Sequence, residues 1–133
     1  MIEIGHAIGP LRIAPVEAGW MRQWADILSD PNEIHLDAER VRRLGLGHDV
    51  INQGPINIAY VLNAAMQAFP GAVIERFAAR MLGNVYAGDA VTASGRVTAV
   101  EPLDNGSRLT CDLTLAVEGR SDAVGIELVL RID

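Results

Sequence analysis

The chain has 133 residues, half of them apolar and 21% charged, with 17 acidic against 11 basic side chains and a formal net charge of −6. Every basic residue is Arg, and the lack of Lys excludes Schiff-base chemistry, lysine-anchored pyridoxal phosphate and a Walker phosphate loop, all of which need an amine side chain. Scattered arginines under a net negative charge argue against a nucleic-acid partner, and the lone Cys111 provides neither an internal disulfide nor a thiolate zinc cluster.

The length suits one domain over residues 1–133. Residues up to about Phe69 carry helical signals, and the remainder carries strand signals. A first helix is expected over Pro15–Leu28, opened by Pro15 and striped by Trp20, Trp24, Ile27 and Leu28. Asp37 then caps a short helix through Arg43 that Gly45 ends, and Arg40, Arg42 and Arg43 read as its solvated face. Gly54-Pro55 and Phe69-Pro70-Gly71 bracket a third helix over Pro55–Ala68. Its polar residues Asn57, Tyr60, Asn63 and Gln67 form one narrow stripe, and the rest is apolar nearly all round, the pattern of an enclosed helix.

Four strands follow, over Val73–Met81, Ala90–Val100, Arg108–Val117 and Ala123–Arg131, separated by Gly88-Asp89, Asp104-Asn105-Gly106 and Gly119-Arg120-Ser121-Asp122. They read as an antiparallel meander. Leu109, Cys111, Leu113, Leu115 and Val117 alternate with polar residues, which predicts one dry face. An α+β domain, a curved antiparallel sheet wrapped around one buried helix, satisfies both halves, and its open edge invites dimerisation. The start of the chain lacks the basic stretch and apolar run of a signal peptide, and no run approaches the ~18 apolar residues of a membrane span, so a cytoplasmic protein without a membrane partner is expected.

Of the three histidines, His6 reads as solvated, and His48 stands beside Asp49 in a Gly-rich loop. His35 belongs to Asp30-Pro31-Asn32-Glu33-Ile34-His35. On a continuous helix Asp30 and His35 would lie about 140° apart, but Pro31 disfavours helix at Asp30 and the run is rich in turn formers. The residues alone allow two readings: a helix-ending turn with His35 packed, or a curl that converges a carboxylate and an imidazole for acid–base work on one water.

The six-residue run resembles the hydratase signature of the MaoC-like, (R)-specific enoyl-CoA hydratases, Asp-any-Asn-Pro-apolar-His. The order around it is similar too: a short Arg-rich helix, Val50-Ile51-Asn52-Gln53-Gly54 leading into the apolar helix, and Tyr86-Ala87-Gly88-Asp89 before a strand. The resemblance spans about Pro15 to Leu130. It implies the hotdog fold and addition of water across the 2,3 double bond of an acyl thioester, with Asp30 and His35 catalytic, Gly54 N–H the oxyanion donor and Asn32 bracing the turn. No cofactor is implied beyond the coenzyme A of the substrate, and no metal. The implied partners are an acyl-CoA or acyl-carrier thioester and a second copy of the chain, or another MaoC-like subunit where the acyl group is bulky. A hotdog thioesterase is the alternative chemistry. Glu33 replaces the signature Pro, Gln53 stands where many relatives have His, and Leu62 where some have Ser; Asn52 and Asn57 are the candidate replacements for the missing polar contacts. With no Lys to meet coenzyme phosphates, Arg76, Arg80 and Arg96 are the expected cations.

Overall fold

The computed structural model describes residues 1–133 in the order β1 (Ala7–Ile13), α1 (Ala18–Ile27), a 3-10 turn (Glu33–His35), α2 (Ala38–Arg43), α3 (Gly54–Ala68), β2 (Val73–Met81), β3 (Val91–Pro102), β4 (Ser107–Val117) and β5 (Val124–Ile132). The strands form one antiparallel sheet ordered β1-β3-β4-β5-β2. β3, β4 and β5 make the expected meander, but β2 pairs with β5 at the far edge instead of with β3. The chain after β2 is diverted by backbone bonds to the segment ahead of α3, with Asn52 N donating to Val85 O and Ala87 N to Val50 O.

β1 is a strand that the sequence signals do not reveal, because Gly9-Pro10 interrupts it. Proline is tolerated at a sheet edge or a bulge, and β1 is both: it flanks β3, and its register shifts between Ile8 and Leu11. Gly9 has φ +80, and a Cβ there would stand 2.6 Å from the Ala93 carbonyl oxygen, so no other residue fits without displacing backbone.

The dry face lies where alternation places it. Leu109, Cys111, Leu113, Leu115 and Val117 are all buried, together with Val91, Ala93 and Val97 of β3 and Ile126, Leu128 and Leu130 of β5. Val61, Ala64 and Ala65 of α3 pack into the same core. The sheet encloses α3 on one side only. Its polar stripe runs from buried Asn57 through half-buried Tyr60 to exposed Asn63 and Gln67.

α1 packs on a different face from the one expected. Met21 and Ala25 are buried, while Trp20 is 36% and Ile27 69% exposed. The buried face carries Met21, whose main-chain O accepts from Nε2 of the fully buried Gln53 at 2.8 Å. No helix is long and apolar enough to cross a membrane.

Burial, with Asp112 adjacent, pushes the Cys111 thiol up to about 11. The unfolded thiol ionises first, so this group's contribution to stability is complete below the ordinary thiol range and is lost as pH rises toward that value. Cys111 is therefore expected to resist iodoacetamide at pH 8 in the folded protein and to react on unfolding, a contrast that intact-mass measurement reads directly.

Candidate active site

Asp30 is placed by the way α1 ends. Ser29 N donates to Asp26 O and Asp30 N to Ala25 O, the paired bonds of a Schellman ending. The residue in the left-handed region is Ser29, at φ 51, where glycine is usual. Pro31 stops any further helix, and the Asp30 side chain then closes the next turn, with Asn32 N donating to Asp30 Oδ1 at 3.2 Å. Asn32 Oδ1 accepts from Ile34 N at 3.3 Å and caps the 3-10 turn that carries His35. The turn leaves Asp30 Oδ2 free to face His35.

The two side chains converge: His35 Nε2 lies 3.2 Å from Asp30 Oδ2. The imidazole is 7% exposed, and its Nδ1 is 2.6 Å from Ile51 O. A carbonyl only accepts, so Nδ1 carries a hydrogen and Nε2 is the proton-exchanging nitrogen. Nε2 and the carboxylate oxygen are both acceptors unless a proton lies between them. The pair is therefore built to share one.

His35, Asn52, Gly54 and Asn57 line a single cavity of about 400 Å³, together with Ile34, Ile51 and the Met81–Asn84 segment. Asp30 does not line it and joins through the Nε2 contact. Gly54 begins α3, where backbone N–H groups have no partner within the helix and favour a developing negative charge. A Cβ at Gly54 would meet Met81 Cε at 3.2 Å. Asn52 Nδ2 donates to Asn57 Oδ1 at 2.8 Å. Burial pushes the Tyr60 hydroxyl up from its ordinary pKa, partly offset by the nearby Asn52 amide.

No protein-family model matches the sequence, and no curated protein does. Solved structures do. An (R)-hydratase from A. caviae involved in PHA biosynthesis superposes with TM-score 0.87 at 22% identity, covering 99% of this chain and 98% of that one. The ChsH1–ChsH2 complex from Mycobacterium tuberculosis gives 0.84 at 22% identity over all of both chains. A MaoC-like dehydratase from Rhodospirillum rubrum gives 0.84 at 18%, covering 98% and 93%. The fold is the hotdog that these structures share.

Within the hotdog, three arginines expected at the site are elsewhere. Arg76, Arg80 and Arg96 point to the face of the sheet opposite α3, because strand alternation sets the first two out of phase with Ala79 of β2, which packs on the core, and Arg96 out of phase with the buried Val97 of β3. Arg76 pairs with Glu127 at 3.8 Å, and Arg80 and Arg96 line a separate groove with Asp112 and Glu127. They do not line this cavity, and no other arginine does. Glu33 turns outward to Arg40, at 3.2 Å. Gln53 points away from the site into the core, where it holds α1, and Leu62 packs against the core cluster. The His48 ring lies 5.4 Å from that of Tyr86, and His6 is exposed near Phe69.

The residues that the sequence did not single out are Met81 and Asn84. Met81 ends β2 and Asn84 follows in the diverted chain, which Asp89 braces by accepting from Tyr86 N at 2.7 Å and pairing with Arg120. No local signal marks them, since their place depends on β2 crossing to β5.

Proposed function

We propose that the protein catalyses reversible hydration of a trans-2-enoyl thioester, an enoyl-CoA, to the (3R)-3-hydroxyacyl thioester. The observation that carries this reading is the 3.2 Å contact of Asp30 with His35 beside the open amide end of α3. An O–H bond of water breaks and its proton passes to the Asp30–His35 pair as the oxygen bonds to C3. The electron pair of the double bond moves toward the thioester oxygen, whose charge the Gly54 N–H stabilises, and the pair returns a proton to C2. One water is added and the pair ends as it began. The (3R) outcome follows the (R)-hydratase whose fold the chain shares.

This reading includes a homodimer along β2, an edge strand that exposes Val73, Phe77 and Met81 next to exposed Leu82. Chains of this fold also assemble with different partners, as in the ChsH1–ChsH2 and HadBC complexes, which supports a heteromer as the second reading.

Purified protein is expected to consume crotonyl-CoA or a longer enoyl-CoA, seen as loss of the conjugated-thioester absorbance, with the 3R enantiomer recovered on chiral chromatography. Release of free thiol instead would make it a thioesterase. Turnover that requires a second hotdog chain would establish the heteromer.

A further inference from the structure

Beyond Met81 the Leu82–Asn84 part of the cavity wall belongs to no helix or strand, and the turn between β4 and β5 holds its main chain. Leu82 N and Gly83 N both donate to Ala123 O, at 2.8 and 3.2 Å, and Asn84 O accepts from Arg120 Nη2 at 3.1 Å. The turn does not need the Arg120 side chain for itself. Main-chain bonds close it, Arg120 N to Val117 O at 3.1 Å and Ala123 N to Leu115 O at 2.8 Å. The guanidinium bonds instead to the segment that forms and follows the wall.

Asp89 aims that guanidinium. Nη1 donates to Oδ1 at 3.0 Å and Nη2 to Oδ2, and the guanidinium carbon stands 5.0 Å from the centre of the Tyr86 ring. Nη2 carries two hydrogens, so one serves the carboxylate and the other Asn84 O. The Asp89 side chain is 13% exposed, less than any other carboxylate paired with an arginine here, which spares the fork the screening that weakens surface pairs. Val85, next after Asn84, accepts from Asn52 N, so the gripped segment is also tied to a second lining residue.

Resting on the hydratase reading, we infer that Arg120 is a positioning residue: by gripping Asn84 O it fixes the Leu82–Asn84 wall relative to His35 and Gly54, and with it the seat of the thioester in the cavity they share. The test is R120K. Lysine keeps a charge beside Asp89 but has one nitrogen on a shorter side chain, and no fork to span the carboxylate and Asn84 O together. R12K is the matched control, since Arg12 pairs with exposed Glu118 and lines no part of the cavity. Well below the melting transition, kcat of R120K for crotonyl-CoA is expected to fall about tenfold, with a smaller change in KM, because a shifted wall misplaces the reacting atoms. Hydrogen exchange at the Leu82 and Gly83 amides should quicken, and R12K should match the wild type in both. Should R120K not fold, D89N is read the same way, since its amide oxygen still accepts from Tyr86 N while the charge that aims the fork is gone. A loss confined to KM, an equal loss in R12K, or faster exchange with wild-type kcat overturns the inference. If the wild type hydrates no enoyl thioester, the hydratase reading falls. The grip on the wall then stands if R120K quickens exchange at Leu82 and Gly83, and falls if it does not.

Discussion

Asp30→Asn is expected to lower enoyl-thioester hydration by about 10²–10⁴-fold, the range that one positioned acid–base group supplies, with little change in Tm. The amide oxygen of Asn still accepts from Asn32 N, so the turn survives, but the shared proton with His35 Nε2 is lost. His35→Ala should lose comparable activity and also stability, by roughly 1–3 kcal/mol, because it leaves Ile51 O without the Nδ1 bond. Groups that act as a unit are not additive, so the double variant should be hardly slower than either single one. Rates and melting curves of the three variants together separate catalysis from packing. Hydration by Asp30→Asn at the wild-type rate would remove the pair from the mechanism.

The second large effect is expected at Gly54. On the proposed hydration, the new methyl of Gly54→Ala enters the space where the thioester would approach the N–H, and its nearest neighbour is Met81 Cε, the free end of a flexible side chain. The fold should therefore accommodate it, with Tm within a degree or two, and Ala is a better helix residue than Gly. Activity should fall about 10²-fold, as for an ångström-scale misplacement of the reacting group, with the loss in kcat rather than KM. A loss confined to KM would mean that Gly54 shapes the entrance and not the oxyanion contact.

The sequence was most legible where the signal is local. Bracketing glycine and proline delimit α3, and period-two alternation in β4 identifies its buried face residue by residue. It was least legible where tertiary pairing overrides local rules. Pro10 hides β1 because its fit depends on an edge position that no local pattern announces. The crossing of β2 to β5 brings Met81 and Asn84 to the site from far along the chain. The stripe of Trp20 and Ile27 was a fair helical pattern, yet the buried face lies one residue round, at Met21 and Ala25, where Gln53 bonds to the main chain. The arginines are a different case. Alternation alone places Arg96 on the face opposite Val97, so its orientation is readable in the sequence.

The polar framework behind the Asp30–His35 pair ends largely on main-chain atoms. Asp30 N is held by Ala25 O, Ser29 N by Asp26 O, Ile51 N by Ile34 O, Asn52 N by Val85 O, and His35 Nδ1 by Ile51 O. Every amino acid brings those carbonyls. Substitutions at Ala25, Ile34, Ile51 or Val85 that keep the backbone path therefore leave the anchors in place, and the surrounding side chains are free to drift. A geometry written this way is portable between sequences that share almost nothing else, which is the circumstance in which a common chain path persists at 22% identity.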